Sequence, residues 1–92
     1  MAQTYTRLLY HIVFSTKNRV RSIKEELQQK LWAYMAGIVK HHGMHAVAIG
    51  GIEDHLHALI DLGPILGIAK AVQVLKSNSS RWMNERQPTR FE

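Results

Sequence analysis

In the segment Gly50-Gly51-Ile52-Glu53-Asp54-His55-Leu56-His57-Ala58-Leu59-Ile60-Asp61-Leu62, a glycine pair and an acidic pair lead into an apolar run that holds two histidines. In a β-strand, successive side chains point to opposite faces. His55 and His57 therefore share one face, while Leu56, Ala58 and Ile60 share the other. Neighbours on one face lie roughly 7 Å apart at the backbone, close enough for two imidazoles to converge on one ion. The spacing equally suits a half-solvated surface pair, and two ligands alone do not complete a metal site. One strand thus carries an apolar face fit for a core and a face fit for a metal or for water.

Outward from this strand, the N-terminal flank alternates in the same way. Tyr5 to Ser15 reads as the first strand, with Tyr10, Ile12 and Phe14 on one face and His11, Val13 and Ser15 on the other. Lys17, Arg19 and Arg21 follow at every second residue in a polar connection, which reads either as a solvated loop or as a phosphate-contacting one. Ser22-Ile23-Lys24-Glu25 has the form of a capping box and opens a helix whose apolar stripe is Leu27, Leu31, Tyr34 and Ile38. Gly43 stops that helix, and His41 and His42 fall in its last turn, where an imidazole suits the negative end of the helix dipole. Met44 to Ile49 forms a second strand. Gly50-Gly51 then turns the chain into the histidine strand, the turn being wider than a tight hairpin because Ile52 to Asp54 intervene.

Gly63-Pro64 ends the histidine strand. A second helix follows from about Ile65 to Glu85, with Ile68, Val72, Leu75, Ser79 and Trp82 turned inward. Ser77-Asn78-Ser79-Ser80 is an unusually small, polar tract inside it, read either as a close-approach patch or as a frayed end. The order strand, helix, strand, strand, helix predicts an α+β chain. Its architecture is ferredoxin-like (split βαβ), with an antiparallel sheet and two helices on one face, and it lacks the last strand of that architecture. The face bearing His55 and His57 is left open.

The sequence has 92 residues and no cysteine, which predicts one domain over 1–92, without disulfides or thiolate metal sites. A formal charge of +5 suits a polyanionic partner. The apolar run within Leu8 to Phe14 is too short to span a bilayer, and Thr16-Lys17-Asn18-Arg19 follows it in place of a cleavage site. A cytoplasmic location without membrane contact is expected.

Glu53-Asp54-His55-Leu56-His57-Ala58-Leu59 resembles the histidine–hydrophobe–histidine (HUH) motif of single-tyrosine transposases of small insertion sequences and of the related REP-associated tyrosine transposases. Tyr10-His11-Ile12-Val13-Phe14-Ser15-Thr16-Lys17-Asn18-Arg19 is similar to that family's first strand and its basic exit. Ile68-Ala69-Lys70-Ala71-Val72-Gln73 and Ser79-Ser80-Arg81-Trp82 are similar to its second helix. The resemblance covers nearly the whole chain in the family's order. It implies a divalent cofactor, Mg²⁺ or Mn²⁺, on His55 and His57. It also implies recognition of single-stranded or hairpin DNA, cleavage through a phosphotyrosine link, and a homodimer.

In the family the nucleophilic tyrosine and a third metal ligand lie on a helix that follows a further strand, whereas this sequence stops at Glu92. The tyrosines present are Tyr5, Tyr10 and Tyr34, none at the family's nucleophile position, so no catalytic residue is assigned. Three functions stay open: a DNA-binding transposase-family domain without its own nucleophile, an active DNA-nicking transposase completed by another residue such as Tyr10 or by another chain, and a metal-free nucleic-acid-binding or interaction module. Lys17, Arg19, Arg21 and Arg81 are the expected DNA contacts. The bare edge of the first strand predicts self-association, and mixed dimers with a full-length relative are a further expected partnership.

Overall fold

The computed structural model describes residues 9–63 and 67–92. Strand β1 spans Leu9–Ser15, helix α1 Glu25–His41, strand β2 His45–Ile52, strand β3 His55–Asp61 and helix α2 Ile68–Asn84, with a single 3-10 turn at Lys17–Arg19 after β1. Residues 5–8 of the expected first strand, and the expected first residues of the second helix, lie outside the described residues. The sheet order is β1-β3-β2, and β3 is antiparallel to both neighbours. β1 and β2 thus run parallel with β3 inserted between them, the arrangement of a split βαβ unit. The chain is α+β, as its pattern predicts.

Alternation sorts the sheet into two faces. Ile12 and Phe14 of β1 join Leu56, Ala58 and Ile60 of β3 in one core with Leu31, Met35 and Val39 of α1 and Ala71, Leu75, Trp82 and Met83 of α2. The fully buried stripe of α1 is Leu31, Met35 and Val39, a fraction of a turn from the expected stripe. Tyr34 turns instead toward α2, its ring stacked 6.0 Å from that of Trp82. Four-residue steps from Leu31 keep one line on the sheet, whereas the 34 and 38 positions drift toward the neighbouring helix. In α2, Ala71 and Met83 are buried while Ile68 is exposed, because the helix begins just before Ile68 and its first turn overhangs the core.

Both helix ends test local chemistry. Gly43 stops α1 as expected: its φ is +76°, its N–H donates to the Lys40 carbonyl and the Met44 N–H donates to Val39. That double bond pattern closes a helix through a left-handed glycine, and Met44 is buried behind it. The capping box does not form. α1 starts at Glu25 with Lys24 as N-cap and no side-chain cap, and Ser22 is buried three residues upstream. The Ile23 amide is drawn away to the Glu53 carbonyl at 2.9 Å, so tertiary pairing overrides the local motif. The polar tract of α2 is not frayed. Ser77, Asn78 and Ser79 bond back to carbonyls one turn earlier, with Ser79 Oγ 2.6 Å from the Leu75 oxygen.

Gly50 and Gly51 do not form the turn. They lie within β2, opposite His57 and Leu56, and the turn is Glu53-Asp54, with Ile52 facing His55. A Cβ on Gly51 would collide with the His55 carbonyl oxygen, lie 2.7 Å from Leu56 Cα and stand 3.1 Å from the Trp32 ring of α1. The glycine lets β2 close on β3 while Trp32 packs over it. An extra residue at Val47, a bulge between Ala46 and Ala48, shifts the register and puts Gly50 on the histidine face.

Two alanine substitutions should therefore differ in sign. Gly51→Ala forces β2 and β3 apart and should lower the melting temperature by at least about 8 °C. Gly37→Ala, in the middle of α1 with open space around it, should raise stability by about 0.5–1 kcal/mol. Thermal denaturation of both variants followed by circular dichroism checks the pair.

Candidate metal and nucleic-acid site

The site is built on the β2–β3 turn. Thr16, at the exit of β1, is 1% exposed and donates its N–H to the Asp54 carbonyl at 2.9 Å. Its hydroxyl proton is shared between the Val20 carbonyl at 2.7 Å and the Asp54 carbonyl at 3.1 Å. Together with the Ile23–Glu53 bond, these contacts lash the basic β1–α1 connection to the start of the histidine strand.

His55 and His57 project from the same, open face of β3, and both are half-buried. His55 Nδ1 lies 3.0 Å from Asp54 Oδ1, which commits that nitrogen and leaves Nε2 for a ligand. The His55 ring beside it holds the Asp54 carboxyl below its ordinary value; Arg19 and Arg21 add to this, and partial desolvation opposes it. His57 faces Gly50, where even a Cβ would stand 3.5 Å from ring Cε1 and 3.6 Å from Nε2. Any larger side chain at position 50 would cover the nitrogen that a ligand needs. His11 packs edge-on against His57, ring centroids 5.4 Å apart at 87°. Sequence reasoning did not include His11 in the site, although the alternation of β1 already set it on this face.

The chemistry of the donor set fits a divalent ion held loosely. Two imidazoles share a face, and one is oriented by a carboxylate in the way metal-bound histidines commonly are. Among the described residues no three His, Asp or Glu side chains converge, so the remaining positions would fall to water or phosphate oxygens.

The expected DNA contacts separate into groups. Arg19 reaches Asp54 Oδ1 at 3.5 Å and Arg21 reaches Glu53 Oε2 at 3.8 Å, both exposed pairs over the turn. Lys17 is exposed and has no ion-pair partner among the described residues. Arg81 stands apart on the exposed side of α2, bonded to Asn78 Oδ1 at 2.9 Å. Tyr10 pairs with Ile60 and so lies on the helix-covered side of the sheet, opposite the histidines. No helix among the described residues is long and apolar enough to cross a membrane.

The profile described as Transposase IS200 like matches residues 4–92, and the chain belongs to that family. It is similar to the crystal structure, at 1.90 Å, of a protein from Deinococcus radiodurans R1 described as a candidate transposase. The TM-score is 0.81 with 28% identity, over 92% of this chain and 66% of that one. The chain therefore spans just under two-thirds of that structure's length. No curated protein matches it significantly.

The Thr16 clamp can be tested directly. Thr16→Val keeps the shape but removes the hydroxyl shared by two carbonyls, which keep the Ser22 and Thr16 N–H groups as donors, an expected cost of about 0.5–1.5 kcal/mol. Hydrogen exchange should accelerate most at the Ile23 amide, which shares the clamp; unchanged exchange there would show that the turn is held by other means.

Proposed function

We propose that the chain is a single transposase-family domain that binds single-stranded or hairpin DNA, with a divalent metal, Mg²⁺ or Mn²⁺, on His55 and His57, and without a nucleophilic tyrosine of its own. The observation that carries this reading is the oriented pair: His55 fixed by Asp54, His57 left open by Gly50, on an uncovered sheet face of a chain in the IS200-like family. When bound, the metal would supply charge compensation to a phosphate oxygen. Asp54 orients His55 and His11 supports the ring of His57, while Lys17, Arg19, Arg21 and Arg81 attract and align the phosphate backbone. Arg19 and Arg21 would exchange their exposed carboxylate partners for phosphate, a substitution of one weak surface pair for another.

Tyr10 is turned to the helix side and Tyr34 is stacked on Trp82, so neither can meet a phosphate lying on the histidine face. Tyr5 lies outside the described residues; among those described, no tyrosine reaches the histidine face, which favours DNA binding with cleavage depending on a nucleophile from elsewhere. The open edge of β1 supports self-association, and also mixed dimers with a full-length relative. Leu9 and Val13 are exposed, and the described residues cover that edge only where Thr16 meets Phe91. The reading places the protein in the cytoplasm with its DNA.

Three outcomes follow. Mn²⁺ should broaden the imidazole resonances of His55 and His57 and bind more tightly than Mg²⁺, because nitrogen ligands favour the transition metal. Asp54→Asn should weaken that binding about 10–100-fold with the fold intact; persistent broadening in His57→Ala would place the ion elsewhere. Affinity for a hairpin oligonucleotide should fall steeply with salt, and neutralising Lys17 should reduce the slope of log affinity against log salt by about one. A denaturant-resistant protein–DNA adduct formed with Mn²⁺ would overturn the absence of a resident nucleophile.

A further inference from the structure

A cleft of about 500 Å³ opens between the β1–α1 connection and the segment after α2, away from the histidine pair. Lys17, Asn18 and Ser22 line one side, and Asn84, Thr89 and Arg90 line the other. Its walls are latched together. The Lys17 N–H donates to the Arg90 carbonyl at 2.7 Å, Asn84 Nδ2 donates to the Thr89 carbonyl at 2.8 Å, and the Thr89 N–H returns a bond to Asn84 Oδ1 at 3.0 Å. The cleft is thus formed before any ligand arrives.

Its chemistry is one-sided. Ser22 is 2% exposed, yet its hydroxyl has no hydrogen-bond partner. That oxygen is itself shielded behind the wall, so the polar groups offered to a ligand are those of Lys17, Asn18 and Arg90. Lys17 and Arg90 are the two cations of the wall, and among the described residues neither is ion-paired, whereas nearby Arg19 and Arg21 are engaged by Asp54 and Glu53. No carboxylate lines the cleft. Val20, 57% exposed, and Pro88 complete it with apolar surface. The volume exceeds that of a bare phosphate and falls within the range of small-molecule sites.

We infer that this cleft is a nucleotide site: the phosphate sits between Lys17 and Arg90, Asn18 hydrogen-bonds the nucleotide, and Val20 and Pro88 pack against its sugar or base. The nucleotide comes either as one unit of a DNA strand or as a free nucleoside monophosphate. The strand source rests on the DNA-binding reading above; the cleft and its phosphate chemistry do not.

The test is amide NMR on the full 92-residue chain, carrying His57→Ala and kept in chelator so that the histidine site is silent. It is titrated separately with a deoxynucleoside 5′-monophosphate, the matching nucleoside, and a short single-stranded oligonucleotide. The monophosphate should give saturable shifts at residues 17–22 and 88–90, and the nucleoside should give none. Arg90→Gln should weaken binding about tenfold, the scale of one charge-assisted hydrogen bond. Lys17→Gln should weaken it by a similar factor while leaving the unliganded protein as stable as the parent. Shifts at these residues with the oligonucleotide assign the strand source. Monophosphate binding without oligonucleotide binding assigns the free nucleotide and counts against the DNA reading. Absence of monophosphate shifts at these residues, or Arg90→Gln binding like the parent, overturns the site even if the oligonucleotide binds elsewhere.

Discussion

The contact between Thr16 and the Asp54 carbonyl is the constraint on which the functional end of this molecule depends. One buried side chain and its backbone hold the exit of β1, the 3-10 turn and the tip of the β2–β3 hairpin together. Phe91 bridges to the same residue from the C-terminal segment, and Lys17 and Ser15 accept or donate the flanking bonds with Arg90 and Glu92. A threonine suits the position because its β-branched body fits a strand while its hydroxyl reaches the second acceptor position of two carbonyls, those of Val20 and Asp54. Such buried polar junctions fix one arrangement because any alternative would strand several groups at once.

This junction explains the strained turn beside it. Asn18 and Arg19 both have positive φ, at 59° and 55°, a conformation that side chains other than glycine seldom adopt. The strain is tolerated because Arg19 N–H and Val20 N–H bond back to Thr16 and Lys17, closing the turn within three residues. Its result is positional: Lys17 and Asn18 face the cleft, while Arg19 reaches Asp54.

Alternation made the strands legible. The parity of Ile12 and Phe14 against His11, and of Leu56, Ala58 and Ile60 against His55 and His57, holds in the structure because a sheet with one covered face permits one register. Local motifs were less dependable where a distant partner competed. Ser22 has the sequence of a cap and is not one, because the next residue, Ile23, is claimed by Glu53 thirty positions away, beyond anything a capping rule considers. The glycine pair looks like a turn, yet its missing side chains serve β3 and Trp32, neither of which is visible from the pair itself. The edge contact of His11 with His57 followed from parity plus the strand order, and only the order was missing from the sequence.

The charges around the hairpin tip follow a single electrostatic logic. Two carboxylates, Glu53 and Asp54, stand beside a surface proposed to meet phosphate, an arrangement that repels the ligand unless their charge is offset. Arg19 and Arg21 supply that offset, and the lowered titration of Asp54 records the hydrogen bond to His55, the largest contribution, together with these two charges. Asp54 can thus remain ionised to orient His55 while the two arginines balance the two acids. Removing the arginines would leave the two acids facing the strand; removing the acids would leave His55 free to turn. The compromise costs little stability, since both arginine pairs are exposed and weak, and it keeps those arginines able to release one anion for another.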